Sequence, residues 1–414
     1  MIDEKPYIDT IIEISLPYLK ETFPNEKRLK ELFEKVAFLK EKKNKREVID
    51  NFIDIYIKFV KEDYQNQYKN INSELIEFLE KKDEDVKIIW GNCLDVMKGM
   101  KPESIHLMVT SPPYYNAREY SQWKNLNDYL DEMRLIIKEA YRVLDNHRVF
   151  VFNVGDIFDN DNLTTTSTWG KRRIPLGAYF IKIFEEEGFT FVDDFIWDKG
   201  EVQSERHKNG NKPYPFYQYP MNCYEHILIF HKHRNDPTRY PCPVCGCLKV
   251  NGNAYSEIGV KSWECKNDQC FERSEANRGK RFSLKTIITQ SRQEEKYEID
   301  KEFIKKWRRD IIKINPVIKI NSKGENILGH TAPFPSEIPE FAVKMFSYPD
   351  EYVLDPFAGS FTSVITAKKL GRIGIGIELN KEMFGKSSIY NLNKSLQPNI
   401  FNTNKIKISE IDLL

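Results

Sequence analysis

The chain has 414 residues, more than one ordinary domain holds, so two or three domains are expected. Apolar residues make up 40% and charged residues 30%, which excludes an intrinsically disordered chain. Lys+Arg number 63 against 62 Asp+Glu, and the resulting net charge of +1, taken alone, argues against a nucleic-acid partner.

Nothing approaches the roughly 18 consecutive apolar residues of a membrane span, so no membrane association is expected. The first residues, MIDEKPYIDT, are acidic, and Pro6 and Pro17 break the run. They lack the basic start and apolar stretch of a secretion signal, and a cytoplasmic location is expected. Residues 1–84 contain KRLKELFEKVAFLKEK and REVIDNFIDIYIKFVKE, with apolar residues three and four apart. That spacing predicts amphipathic helices, read as a docking or oligomerisation extension.

From residue 86 the period shortens. VKIIW (86–90), IHLMVT (105–110), RVFVFNV (148–154), FVDDFIW (191–197) and EHILIF (225–230) read as strands. Helical stretches at 128–144 and 176–187 alternate with them, which predicts a mainly parallel sheet. The last two strands have no helix between them and are expected to pair as an antiparallel edge hairpin. After the strand 105–110 comes Ser111-Pro112-Pro113-Tyr114. Ligands of such sheets sit at the C-terminal ends of strands. Prolines cannot donate, so their carbonyls stay available as acceptors beside the Ser111 hydroxyl. With the Tyr114 ring as a stacking platform, the loop suits a planar base carrying an exocyclic amine. The alternative, an extended Pro-Pro-x-Tyr peptide ligand, fits poorly behind an apolar strand.

Residues 231–320 break the alternation. Five of the seven cysteines fall between Cys242 and Cys270. In a reducing compartment this clustering points to metal. Cys242 and Cys245 form one knuckle, Cys265 and Cys270 a looser second. Four sulfurs suit a structural tetrahedral Zn²⁺, with Cys247 as a spare. The same segment carries 20 Lys/Arg and 12 Asp/Glu, so the neutral total hides a basic module. Its basic runs are Arg278-Gly-Lys280-Arg281 and Lys305-Lys306-Trp307-Arg308-Arg309, suited to phosphates.

Alternation resumes with YVLDPF (352–357), a helix near 361–370 and IGIGIEL (373–379). Asp355-Pro356-Phe357-Ala358-Gly359-Ser360 is a small-residue loop after a strand, and Glu378 ends the next strand. A carboxylate about 20 residues past such a loop is placed to reach ribose hydroxyls.

In this order, the parts resemble the β group of amino-methylating DNA methyltransferases: catalytic loop, recognition insertion, cofactor loop. The resemblance spans roughly residues 86–390 and includes His330-Thr331-Ala332-Pro333-Phe334-Pro335 with the helix SEIPEFAVKMF, and LIIKEAYRVLDNHRVFVFNVGD (135–156). It implies a doubly wound, mixed but mainly parallel seven-stranded sheet with a helical N-terminal extension and a zinc-ribbon insertion. Asp355, Pro356, Phe357, Gly359 and Ser360 would line the methionine end of S-adenosylmethionine, and Glu378 its ribose. Thr331, Pro333 and Phe334 would close over the methionine. Ser111, Pro112, Pro113 and Tyr114 would hold the target amine.

Three positions depart from the family pattern: Phe361 where a glycine is usual, Asn92 where an acid is common, and Asn146-His147 in place of a glycine turn. Neither Cys93 nor Cys223 stands in a Pro-Cys loop, which disfavours cytosine-C5 chemistry. The implied activity is methyl transfer to cytosine N4 in double-stranded DNA, as in restriction-modification, with a cognate restriction endonuclease and a homodimer as further partners. Adenine N6 is the alternative. Other classes are an RNA or protein amino-methyltransferase and a non-catalytic zinc-containing DNA-binding protein on a degenerate scaffold. The expected segments are 1–84 (extension), 86–230 (catalytic half), 231–320 (recognition insertion), 321–395 (cofactor half) and 396–414 (tail).

Overall fold

The computed structural model describes residues 5–81, 84–115, 123–158, 173–200, 222–270, 281–290, 297–317, 335–396 and 407–414. Two compact units emerge: Met1–Lys69 with His233–Tyr297, and Asn70–Lys232 with Glu298–Leu414.

In the first unit, helices Tyr7–Thr22, Glu26–Val36 and Lys45–Gln65 form as their periodicity predicts. Asn25 and Asn44 cap two of them, each side chain accepting from two backbone amides. The buried stripe Val48, Phe52, Tyr56 and Phe59 joins one core with Tyr240, Leu248, Trp263 and the five clustered cysteines. Leu248 N donates to Ser15 Oγ at 2.9 Å, and Tyr56 Oη to the Arg239 carbonyl at 2.8 Å. The N-terminal helices and the cysteine-bearing segment therefore share one core, whereas the sequence reading drew them as separate segments. The physical reason is size: the cysteine segment alone has too few apolar residues to close a core. Helix Ser73–Glu80, inside the expected extension, instead packs Leu75, Phe78 and Leu79 with Met97 and Met100 of the second unit.

The second unit holds a nine-stranded sheet, not the seven strands expected. In chain order the strands are β1 (Val86–Trp90), β2 (Ile105–Thr110), β3 (Leu144–Val154), β4 (Phe189–Asp198), β5 (Tyr224–Lys232), β6 (Ile311–Lys313), β7 (Tyr352–Asp355), β8 (Ile373–Glu378) and β9 (Ile408–Asp412). Their spatial order is β6-β4-β5-β3-β2-β7-β8-β1-β9. Among the described residues, only β5 runs antiparallel to its neighbours in this sheet. The two strands missed are the outermost. β6 lies in the expected insertion and β9 in the expected tail; β6 has three residues, and β9 (ISEID) carries two apolar residues spaced three apart, which is not a strand period. The β4–β5 pair forms as predicted, but β6 covers its outer side, so it is not the edge.

Alternating side chains feed two layers. Leu107 and Val109 share a core with Phe341 and Ala342 of helix Glu337–Phe346. Met108, between them, shares another with Ile136 and Ile137 of helix Leu126–Val143. Helices on both faces leave the crevice at the C-terminal ends of β2, β7 and β8 as the place for a ligand.

On β5, His226 sits between two carboxylates. Nδ1 is 2.8 Å from Asp194 and Nε2 3.7 Å from Asp156. Gly177 makes room for the ring, since a Cβ there would lie 2.7 Å from His226 Cδ2. Burial lowers the imidazole pKa, but hydrogen bonds and charge from the two acids outweigh it and raise it to about 9. Because the folded value lies above the free value of 6.5, this stabilisation is complete below pH 6.5 and lost as pH rises through 9. Its ceiling is about 3 kcal/mol. Urea melts at pH 6.5 and 9.5 should show a loss of stability that His226→Gln flattens; an unchanged slope would refute the assignment.

Candidate active site

Loop 111–114 leaves the end of β2, and loop 356–360 leaves the end of the adjacent β7. Thr110, the last residue of β2, is wholly buried and donates to Asp355 Oδ1 at 2.5 Å. Ser363, in the first turn of helix Thr362–Lys369, donates to Oδ2, and Phe357 N to Oδ1 at 3.0 Å. Asp355 is 1% exposed, and both its oxygens are engaged by the protein. Burial pushes its pKa up to about 6, with the hydroxyl and amide donors pulling against it. This carboxylate fastens the two loops together.

Glu378, at the end of β8, accepts from Gly359 N and Asn380 N at 2.9 Å each. Burial raises its pKa, and the backbone donors lower it. A carboxylate has about four acceptor positions, so lone pairs remain for a ligand hydroxyl. Ser360 Oγ lies 3.1 Å from Thr362 Oγ1. Pro356 and Gly359 are buried, and Phe357 is partly so.

Phe361 adopts the left-handed region, φ 60°, that a glycine takes up freely. Its ring points into the core, fully buried and edge-on to Trp90 with centroids 5.8 Å apart. Gly376 opposite supplies the space, since a Cβ there would lie 3.0 Å from Phe361 Cδ1. A left-handed residue costs roughly 1–2 kcal/mol, and burying the ring returns roughly 1.5–3 kcal/mol. The loop path is thus kept without glycine. Asn92 caps helix Cys93–Gly99, its side chain accepting from Leu94 N at 2.9 Å. At the third departure His147, not Asn146, takes the positive φ of 63°. Asn146 is buried and accepts from His147 N.

In the first loop, Ser111 Oγ lies 3.3 Å from Tyr114 Oη. Tyr129 donates to the Pro113 carbonyl at 3.0 Å, so that carbonyl is not left available as the sequence suggested. Tyr114 Oη donates to Glu225 Oε2 at 2.8 Å, and Lys199 Nζ to Glu225 Oε1 at 2.9 Å. Burial, and then the Glu225 charge, push the Tyr114 phenol well above its usual range, so it stays protonated as a donor. The sequence pattern assigns no site role to Thr110, Ser363, Glu225 or Lys199. The nearest signal was an acid opening an otherwise apolar strand, at Glu225. Cys93 is buried and its thiol pushed up to about 12 by desolvation, unsuited to act as a nucleophile.

Thr331, Pro333 and Phe334 lie outside the described residues, as do Arg278 and Lys280. Lys305, Lys306, Arg308 and Arg309 are exposed around helix Lys301–Trp307 in the second unit, whereas Arg281 belongs to the first. In the first unit, Cys242, Cys245, Cys265 and Cys270 are all buried, with Sγ atoms within 4.8 Å of one another. A sulfur tetrahedron with Zn–S of about 2.3 Å has edges of about 3.8 Å, so the spacing fits that ion. Asn267 Nδ2 approaches Cys245 Sγ at 3.6 Å, and Val244 N approaches Cys242 Sγ at 3.4 Å, as donors toward thiolates do. Cys247 Sγ is 3.2 Å from Cys245 Sγ.

Among the described residues no helix is long and apolar enough to cross a membrane. The N6/N4 methyltransferase family profile, described as DNA methylase, matches residues 105–387. The Type II beta methyltransferase M.BslI of Bacillus sp. (strain NEB-606) is 38% identical over 335 residues, which cover 81% of this chain and 30% of that protein. The chain thus corresponds to under a third of that relative's length. The Type II methyltransferase M.MjaI of Methanocaldococcus jannaschii is 26% identical over 340 residues, 72% of this chain and 88% of the relative. The solved PvuII DNA methyltransferase (cytosine-N4-specific) aligns with 18% identity and a TM-score of 0.48, covering 77% of this chain and 89% of that one. The chain belongs to the N6/N4 DNA methylase family.

Proposed function

We propose that the chain transfers a methyl group from S-adenosylmethionine to the exocyclic N4 of cytosine in duplex DNA. The observation that carries this reading is the Thr110–Asp355 hydrogen bond, which fixes the amine-binding loop beside the cofactor loop. S-adenosylmethionine supplies an electrophilic methyl group on a sulfonium. Asp355, Pro356, Phe357, Gly359 and Ser360 would frame its methionine end and Glu378 would accept from its ribose, and the family resemblance assigns Thr331, Pro333 and Phe334 to its methionine part. Ser111 and the Pro112 carbonyl accept hydrogen bonds from the target amine, whose lone pair is otherwise delocalised into the ring. That favours a more tetrahedral nitrogen as the nitrogen–methyl bond would form and the sulfonium–methyl bond break, with a neutral thioether as leaving group and the amine proton lost to solvent; alignment with the methyl group does the rest. The flipped base stacks on Tyr114. Ser111 presents a neutral acceptor, which the family resemblance links to cytosine.

The exposed cations Lys305, Lys306, Arg308 and Arg309 are assigned to phosphates, so binding weakens with salt. Cys242, Cys245, Cys265 and Cys270 are assigned to a structural zinc that shapes the recognition region. The Type II names of the relatives support a restriction-modification setting, in which a cognate endonuclease is the expected partner. Nucleosides digested from DNA incubated with the protein and labelled S-adenosylmethionine should contain N4-methylcytosine. Finding N6-methyladenine alone overturns the base assignment, and label in RNA or protein instead overturns the substrate. Ser111→Ala should lower turnover about a hundredfold at unaltered cofactor affinity. An unaffected rate refutes its role.

A further inference from the structure

Glu225 lies outside both loops, on β5, yet its carboxylate meets the Tyr114 hydroxyl. Its other oxygen meets Lys199, and both of these side chains are only 14% exposed. Gly155 lets the group close up, since a Cβ there would lie 2.9 Å from Glu225 Cγ and 3.3 Å from Tyr114 Cε2. A hydroxyl both donates and accepts, so Ser111 and Tyr114 by themselves have two equivalent hydrogen-bond directions. In one, the Ser111 lone pairs face the target amine. In the other, its proton does, and the amine is repelled.

Lys199 and Glu225, at the far end of this hydrogen-bond series from Ser111, remove that freedom. An ammonium group only donates and an ionised carboxylate only accepts. Lys199 therefore donates to Glu225, and Tyr114 must donate to Glu225. The Tyr114 oxygen, which also takes the Gly155 backbone donor, is then left to accept, and Ser111 must donate to it. The Ser111 lone pairs are what remain for substrate. We propose that Glu225, held by Lys199, is a positioning residue that fixes this direction through Tyr114 and so makes Ser111 an obligate acceptor. The proposal rests on the methyl-transfer reading above.

Glu225→Gln tests it, because the variant keeps size and shape. Lys199 claims the amide oxygen, the amide nitrogen faces Tyr114, and the nitrogen can only donate. Tyr114 then accepts, donates to Ser111, and turns the serine proton toward the amine. The kcat of Glu225→Gln should fall about a hundredfold, with KM for DNA and cofactor affinity within about threefold of wild type. Tyr114→Phe keeps the ring but frees Ser111 to rotate, and should fall only about tenfold. Adding Glu225→Gln to Tyr114→Phe should cost nothing more, since no hydroxyl remains to be turned. Equal losses in both backgrounds would mark Glu225 as merely structural, and an unchanged kcat in Glu225→Gln would also overturn the proposal.

A second measurement does not need turnover. With tyrosine isotopically labelled at Cζ, the Tyr114 signal is assigned by its loss in Tyr114→Phe. It should shift in Glu225→Gln as the phenol changes from donor to acceptor. An unmoved signal overturns the proposal at any level of activity. A shift in Glu225→Gln, together with wild-type protein that methylates no DNA, would defeat the functional reading and leave the hydrogen-bond direction standing.

Discussion

Asp355→Ala should abolish S-adenosylmethionine binding and lower stability by about 3–5 kcal/mol, within the range for stripping the partner from buried donors. The residue is 1% exposed and takes hydrogen bonds from Thr110, Ser363 and the Phe357 amide. Alanine leaves all three donors without that acceptor and opens a gap between the two loops. Cofactor affinity goes because loop 356–360 loses its anchor. Asp355→Asn separates shape from charge. Burial raises the Asp355 pKa to about 6 from 3.8, so its ionised form is disfavoured in the fold. A raised folded value means that its contribution is complete below pH 3.8 and lost as pH rises through 6. The span is about 3 kcal/mol. Wild type should therefore lose stability relative to Asp355→Asn between pH 4 and 7. Calorimetric titration with S-adenosylmethionine and urea melts at the two pH values check both parts. Asp355→Ala binding the cofactor with undiminished affinity would sink the argument.

What the sequence made readable was whatever its local period encodes. β1 and β2 fall where their apolar runs end, and Glu378 stands at the end of β8 as its spacing behind the loop required. Edge strands are less legible because backbone pairing on one side is enough to form them. β9 needs little more than the register Val86–Ile408 to Trp90–Asp412, with Trp90 Nε1 donating to Glu410 at 2.9 Å. Phe361 misleads for another reason: its strain is offset by Trp90 and by the absence of a Cβ on Gly376, both remote in sequence. The partnership of Tyr114 with Glu225 spans 111 residues and follows from strand order, which no local pattern records.

Chelating the metal proposed for the first unit should have a larger effect, on a different part of the chain. The segment His233–Tyr297 has short strands, Val250–Tyr255, Lys261–Cys265 and Arg281–Ser283, and little apolar volume of its own. Four thiolates brought within 4.8 Å repel one another unless protonated or bound to a cation. The knuckle is also a packing surface. Gly246 takes φ 73°, and a Cβ there would lie 2.8 Å from Ile11 Cδ1 of helix Tyr7–Thr22. Opening the knuckle therefore removes the support of that helix as well. Structural zinc sites contribute on the order of 10 kcal/mol to folding, more than a small core can replace. Purified protein should carry about one zinc per chain, the stoichiometry of a site closed by four cysteines. A chelator or Cys265→Ser should expose both segments, Met1–Lys69 and His233–Tyr297, to proteolysis. Cys247→Ser should keep the zinc, because the four-sulfur set closes without it. Protein isolated without zinc, and equally protease-resistant after chelation, would make the cluster a set of packed thiols.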